Sequence, residues 1–502
     1  MKRGLDDISD GSSGAGASKM GSGLAAKQRI EAEYKNWMVA APQIYDVCMA
    51  KNLKWPSLTV EWLPGIMASS REGWNRHSLL VGTHTDGSAG NELLLASVQL
   101  PDAETEVDTT KGFGTDTIDV VLRLAHPEGE VNRARHCPSR PTLIATRPAS
   151  AQCFVFDTER AAARAAEAPD DKEGGVAAPW LTLRGHGDEG YGMAWNPHTA
   201  GELATAANDG TICLWDVTTA KGDGDTPSWF AAASEVAVSD VAFSPRDPWT
   251  LGAVGDDRAL ALWDTRKPEA AALRREAAHA GDVNTVAFPR CGDDGALFRV
   301  LTGSADRSVK LWDARALKEP LHTFDGLDGD VLQVHWSPHE ADVFACCGTD
   351  RRVTFFDISK VGAPRPPTAA ADDDDDDDDQ DPACVFVHAG HKATVSEFAL
   401  SEEDRWLGAS VSEDNVLQVW CVGEHIFDDD DDDDDDDDGA DPPPVDAPEP
   451  DAKPASAVSA SPTRPPPPGD SVVAAMCGAM PVPSPQKFKS FESLSPKKGA
   501  AP

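Results

Sequence analysis

The 502-residue chain has no basic surplus: 45 Lys and Arg stand against 85 Asp and Glu, a formal charge of −40. A surface of that sign repels phosphate, so direct nucleic-acid binding is not expected, nor is an anionic membrane surface. The start, Met1-Lys2-Arg3-Gly4, runs into Asp, Ser and Gly without an apolar stretch, so a secretory signal is not expected, and no run approaches a membrane span. The ten cysteines contain no C-x-x-C pair, and Cys346 and Cys347 are adjacent, so neither a zinc module nor a disulfide framework is expected. Reduced, buried thiols in an intracellular protein fit this pattern, with no metal and no cofactor.

What the chain does have is material for a core, with 40% apolar residues and 14 Trp, and a charge that is unevenly placed. Eight consecutive aspartates occupy 372–379 and eleven occupy 428–438. From 428 onward there are 17 acids and 6 bases, which leaves −29 on residues 1–427. The body is therefore acidic in its own right and suits basic partners.

A repeat organises that body. Aromatic-Asp pairs recur at Phe156-Asp157, Trp215-Asp216, Trp263-Asp264, Trp312-Asp313 and Phe356-Asp357, with Trp420 as a sixth aromatic lacking the Asp. Asp209, Asp257, Asp306, Asp350 and Asp414 each lie six residues before the aromatic, and His126, His186, His279 and His391 stand roughly thirty residues upstream. Between them runs strand chemistry, a polar turn giving way to alternating Val, Leu and Trp in 303–312. These repeats resemble WD40 blades of four strands. The resemblance implies that the His, the turn Asp and the strand Trp bond one another inside each blade, a structural role for His186, Asp209, Trp215, His279, Asp306, Trp312, His391, Asp414 and Trp420. Two repeats lack the His, reading Ala232-Ala233-Ser234 and Gly326-Leu327-Asp328. A degenerate strand pair at 78–83 and 93–98 raises the count to seven, which closes a ring.

Ile30, Tyr34, Trp37, Met38 and Ala41 fall at helical spacing over 24–41, with Pro42 as the stop. Trp55 to Trp62 alternates as a strand suited to completing the last blade. The expected organisation is a disordered segment over 1–23, an amphipathic helix over 24–41, an all-β seven-bladed WD40 propeller over 42–427 with an acidic loop at 361–383, and a disordered acidic, then Pro/Ser-rich, tail over 428–502.

Seven stretches carry a closer resemblance: Glu33-Tyr34-Lys35-Asn36-Trp37, Tyr45-Asp46-Val47, Leu53-Lys54-Trp55-Pro56-Ser57-Leu58-Thr59, residues 129–135, 189–192 and 348–352, and Ser412-Glu413-Asp414-Asn415. On these the chain resembles the retinoblastoma-binding WD-repeat histone chaperones, which include the small subunit of chromatin assembly factor 1. The resemblance implies a non-catalytic nuclear scaffold, with a cytoplasmic pool, that binds histones H3 and H4. It would join the larger subunits of chromatin assembly, deacetylase, remodelling or Polycomb-type complexes. It also implies a groove for a histone H4 helix between the N-terminal helix and the acidic loop. The loop residues are Asp372, Asp373, Asp374, Asp375, Asp376, Asp377, Asp378, Asp379, Asp381 and Pro382, and the apolar lining is Ile44, Ile426 and Phe427. Clustered carboxylates suit the arginines of a basic amphipathic helix.

A second surface emerges when the repeats are aligned on His136, Trp195, Phe243, Phe288, Trp336 and Leu400. Six residues earlier stand Glu130, Glu189, Ala237, Asp282, Asp330 and Thr394, and four residues earlier stand Asn132, Tyr191, Ser239, Asn284, Leu332 and Ser396. In a propeller, equivalent positions form a ring at one mouth of the channel, here acidic enough for an extended Lys/Arg peptide. Relatives are similar in gripping a histone H3 tail there, through the positions of Glu130, Asn132, Glu189, Tyr191, Asn284, Asp330 and Glu413. Ser239 and Leu332 depart from the Glu and Phe of relatives, which costs one carboxylate and one stacking surface.

Two other classes share some of these features. The boxes Trp263-Asp264-Thr265-Arg266 and Trp312-Asp313-Ala314-Arg315 fit a substrate receptor of a cullin ubiquitin ligase, and the Trp-Pro-Ser-Leu-Thr stretch also occurs in ribosome-assembly WD40 chaperones. The motifs at 129–135 and 189–192 favour the chromatin branch. In the tail, Ser461, Ser484 and Ser495 each precede Pro with a basic residue nearby, the pattern of proline-directed phosphorylation sites.

Overall fold

The computed structural model describes residues 15–102, 105, 117–167, 178–220, 227–292, 295–362, 381–423 and 426–427. The aspartates at 372–379, the Ser-Pro sites and the expected tail lie outside the described residues.

Seven four-stranded antiparallel sheets form the blades of a propeller. Blade 5 shows why these residues make strands: in Arg299–Ser304 and Val309–Asp313, Val300 faces Trp312 and Leu301 faces Leu311 across the ladder. Alternate side chains leave on opposite faces of each sheet, so the core lies between neighbouring blades. Leu301, Leu311 and Phe324 of blade 5 thus pack with Val331, Trp336, Phe344 and Phe356 of blade 6.

The strand that closes the ring is not the one the alternation suggested. Tyr45–Asn52 pairs antiparallel with Val416–Val422 and completes blade 7, while Val60–Ala68 opens blade 1. Of the expected 55–62 strand, residues 55–59 are a connector. Ser57 Oγ donates to Thr59 O at 2.7 Å and accepts from Gly82 N at 3.2 Å, so a buried hydroxyl serves the local backbone. Thr59 Oγ1 accepts from Ala134 N at 3.1 Å, which ties the motif to blade 2.

The N-terminal helix spans Ala15–Ile44, longer than the expected 24–41, and Pro42 lies inside its last turn. Proline forfeits the bond to the carbonyl four residues back, but this close to the end it interrupts little helix. Ile30, Tyr34, Trp37 and Ala41 are the stripe turned inward; Met38, one residue off that stripe, is 50% exposed. The acidic loop also sits differently from the expected position before the last blade. It lies inside blade 6, between Val353–Asp357 and the outer strand Cys384–His388.

Within the blades, the His, Asp and Trp communicate through a hydroxyl that pattern reading missed. In blade 5, Trp312 Nε1 donates to Thr302 Oγ1 at 2.9 Å, Thr302 lies 2.7 Å from His279 Nε2, and His279 Nδ1 lies 3.0 Å from the Asp306 carboxylate. A carboxylate only accepts, so Nδ1 carries the proton and the Thr302 hydroxyl donates to Nε2. Thr205 takes this place in blade 3, between Trp215 and His186, and Ser410 in blade 7, between Trp420 and His391. Asp209 and Asp414 stand farther from their histidines, at 3.7 and 3.8 Å. Replacing Thr302 by the nearly isosteric Val strands a buried Trp N–H and a buried His nitrogen together. We expect a loss of about 1–3 kcal/mol in urea unfolding.

Candidate functional site

The first strands of successive blades neighbour one another all the way round the channel. At the start of each, a backbone latch fixes the residue that the repeat alignment singled out. The carbonyl of Glu130 accepts from Ala149 N, that of Glu189 from Asn208 N, Ala237 from Asp256 N, Asp282 from Ala305 N, Asp330 from Thr349 N and Thr394 from Glu413 N, at 2.8–3.1 Å. The approach is close: a Cβ at Gly348 or Gly255 would overlap the carbonyl oxygen of Asp330 or Ala237. One geometry repeated in six blades therefore brings Glu130, Glu189, Asp282 and Asp330 to the same mouth, with Glu413 joining from the latch of blade 7.

The gripping positions divide. Tyr191 is 42% exposed, and its hydroxyl is pushed up by burial of its inner part and by the Glu189 and Glu130 carboxylates, which places it between two blades' acids. Asn284 is committed, its Nδ2 donating to Val331 O at 2.8 Å. Asn132 is buried with its Nδ2 unpartnered. Beside Glu130, a cleft lined by His84, Asp86, Asn91, His126 and Gly129 extends the mouth toward blade 1, and His84 Nε2 approaches Glu130 to 3.4 Å.

Blade 4, with Ala237 and Ser239, was expected to lack a carboxylate. Its latch residue provides one: Asp256 lies 3.5 Å from Ser239 Oγ, and its carboxyl is raised by burial and by nearby Asp282. In the sequence Asp256 is one member of an Asp256-Asp257 pair beside the repeat's turn, and only the fold shows that the latch loop points to the mouth.

Below the mouth the inner strands carry a buried ionic network. Glu397 of blade 7 has no solvent exposure; it accepts from Val60 N of blade 1 at 2.7 Å and from Arg135 of blade 2 at 2.6 Å. Arg133 lies 3.8 Å from Glu397 and 3.6 Å from Asp240, which in turn accepts from Val286 N at 3.1 Å. Glu61 accepts from His136 N at 2.7 Å.

On the other candidate surface, Ile44 ends the helix and packs, half-buried, with Ile426 and Phe427 in the cluster that contains Tyr45, Phe386 and Trp406. Phe427 stacks on Trp406 with centroids 3.7 Å apart. Met38 and Val39 of the helix are 50% and 79% exposed. Asp381 is engaged internally: Oδ1 accepts from Ala383 N at 2.9 Å and Oδ2 lies 3.3 Å from His322, while Pro382 is exposed.

Residues 32–102 match the family model of histone-binding protein RBBP4 and its counterpart in the CAF1 complex. Residues 178–216, 272–313, 318–357 and 382–421 match the WD domain, G-beta repeat. The chain belongs to the RBBP4-type WD-repeat family. The histone-binding match takes in the last turns of the helix, the ring-closing strand, the Trp-Pro-Ser-Leu-Thr connector and three strands of blade 1. Each matched WD repeat begins with the outer strand of one blade and ends with the third strand of the next, so the repeats interlock neighbouring blades. The arginines of the two Trp-Asp-x-Arg boxes fold back onto their own aspartates, Arg266 on Asp264 at 2.8 Å and Arg315 on Asp313 at 2.6 Å. Among the described residues no group of three or more His, Cys, Asp or Glu could hold a metal ion.

The ionic network makes the ring acid-sensitive. Burial would raise the Glu397 carboxyl, but Arg135 and Arg133 outweigh it and hold the group below its ordinary 4.5. Since the unfolded chain then takes up the proton first, this stabilisation is complete above about pH 4.5 and is lost as pH falls through the folded value. Glu397→Gln, which leaves Arg135 without its charge partner, is expected to cost about 3–5 kcal/mol at pH 7. Urea midpoints from pH 7 to 3 should fall less steeply in this variant than in the unaltered chain.

Proposed function

We propose that the protein is a non-catalytic nuclear scaffold that captures histones H3 and H4 and links them to the larger subunits of chromatin assembly, deacetylase, remodelling or Polycomb-type complexes. The observation that carries this reading is the latched ring at the channel mouth. Glu130, Glu189, Asp256, Asp282, Asp330 and Glu413 converge from six blades on one opening. Such a ring concentrates cations, and its carboxylates accept charge-assisted bonds from the lysines and arginines of an extended H3 tail. Exposed Tyr191 offers a face and a hydroxyl beside two of the acids.

The H4 helix takes the side surface. Exposed Met38 and Val39, with half-buried Ile44, Ile426 and Phe427, supply apolar contact for an amphipathic helix, and the match over residues 32–102 to a histone-binding family supports this placement. The aspartates at 372–379 would meet its basic face.

Glu130→Ala with Glu189→Ala is expected to weaken an H3-tail peptide by at least about tenfold in calorimetry while leaving H4 binding within twofold; equal loss of both would overturn the two-site reading. Asp256→Asn alone should weaken the tail by about two- to fivefold. Replacing the aspartates at 372–379 by Ser should weaken H4 binding and flatten its dependence on ionic strength, and unchanged affinity from low to high salt would remove the loop from the groove.

A further inference from the structure

The N-terminal helix meets the propeller through two layers of contact. The outer layer is ionic: Glu33 with Arg351 at 2.7 Å, Glu31 with Lys392 at 3.0 Å, and the Lys392 ammonium 4.2 Å over the ring of Tyr34. All of these side chains retain solvent contact, where ion pairs contribute little and are screened by salt.

The inner layer is a buried hydrogen-bond chain. Trp37 Nε1 donates to Tyr45 Oη at 3.2 Å; Tyr45 Oη lies 2.7 Å from His388 Nδ1; His388 Nε2 lies 2.9 Å from Gln418 Oε1; and Gln418 Nε2 donates to Gly390 O at 2.6 Å. Its direction is forced. An indole N–H can only donate, so the Tyr45 oxygen accepts from it and the Tyr45 proton goes to His388 Nδ1. His388 must then be neutral with its proton on Nε2, the atom that faces the Gln418 carbonyl. Tyr45, His388 and Gln418 are at most 2% exposed, so no water can replace a missing partner cheaply. Burial, with nearby His391, holds His388 well below its ordinary range, in agreement with the neutral form.

The chain crosses three parts of the fold. Trp37 is on the helix, Tyr45 opens the ring-closing strand, His388 ends the outer strand of blade 6, and Gln418 is in blade 7. His388 also stacks on Trp420, centroids 4.8 Å apart, and a Cβ at Gly390 would lie 2.9 Å from Trp37 Cζ2. Met38, Val39 and Ile44 are carried by the segment between Trp37 and Tyr45, so whatever fixes those two residues fixes the apolar wall. The match to the histone-binding family covers Trp37 and Tyr45 but ends long before His388, Gly390 and Gln418.

We propose that His388, through its hydrogen bond with Tyr45, is a positioning residue that sets the register of the N-terminal helix on the propeller and thereby the geometry of the wall that receives a histone helix. This inference rests on the helix-binding reading above. His388 touches no ligand in it and acts only through Tyr45 and Trp37.

The test uses the full chain with Tyr45→Phe, His388→Leu, His388→Gln and Gly390→Ala, and reads amide hydrogen exchange together with affinity for an H4 helix peptide and an H3-tail peptide. Tyr45→Phe and His388→Leu are expected to speed exchange over residues 25–44 by about tenfold, leave blade strands protected, weaken the H4 peptide by about tenfold and spare the H3 tail. Gln is close to Leu in volume, but it can accept from Tyr45 and donate to Gln418, so His388→Gln should recover most of both losses. Gly390→Ala keeps every hydrogen-bonding group while intruding on Trp37; it should loosen the helix alone, and it serves if Tyr45→Phe does not fold. Unchanged helix exchange in these variants, or a Gln variant as loose as the Leu variant, overturns the positioning. Because exchange is read without histone, failure of the unaltered chain to bind the H4 peptide overturns the groove reading separately.

Discussion

The carboxylate of Glu397, wholly removed from water, joins the last blade to the first two, and the ring depends on that junction. A propeller must connect blades that are far apart in sequence, and here the closure is made twice. On the outer edge, Tyr45–Asn52 pairs with Val416–Val422; on the inner edge, Glu397 takes the Val60 N–H and the Arg135 guanidinium. Burying that charge is costly unless its acceptor capacity is filled, and the two partners come from two different blades. The same acid therefore stabilises the closed ring and penalises any arrangement in which blades 1, 2 and 7 do not meet.

Closure has a consequence at the channel mouth. With the ring fixed, the repeated latch between each inner strand and the loop of its own blade presents equivalent side chains to one opening. The field at that opening is a sum over blades, which no single repeat would generate. Asp256 illustrates the point: it belongs to a latch loop, not to the aligned position, yet it restores a carboxylate in the blade where Ala237 and Ser239 offer none.

Much of the fold was legible because the signals are local. The aromatic-Asp spacing, the upstream His and the strand alternation each arise within one repeat, and they located the blades and the acids at 130, 189, 282 and 330. The misses have physical causes. Thr302 looked like any strand threonine, since its role depends on two partners brought together by pairing. The stretch 55–62 alternates like a strand, but Pro56 and the inward hydroxyls of Ser57 and Thr59 make its first half a connector. Met38 matched helical spacing, yet a stripe of Ile30, Tyr34, Trp37 and Ala41 already fills the contact face. Asp381 read as part of an acidic binding loop, whereas its oxygens cap a turn and approach His322.

By itself the sequence determined the repeat, the four-strand chemistry of each blade, the sign of the surface and the family resemblance, since all of these are written in neighbouring residues. Only the tertiary structure decided which strand closes the ring, where the missing carboxylate comes from, and what holds the helix. Those contacts link positions 337 residues apart, Val60 with Glu397, and 343 apart, Tyr45 with His388. No local pattern encodes them, because a buried carboxylate or imidazole looks the same in sequence whether its partner is a turn away or at the other end of the chain.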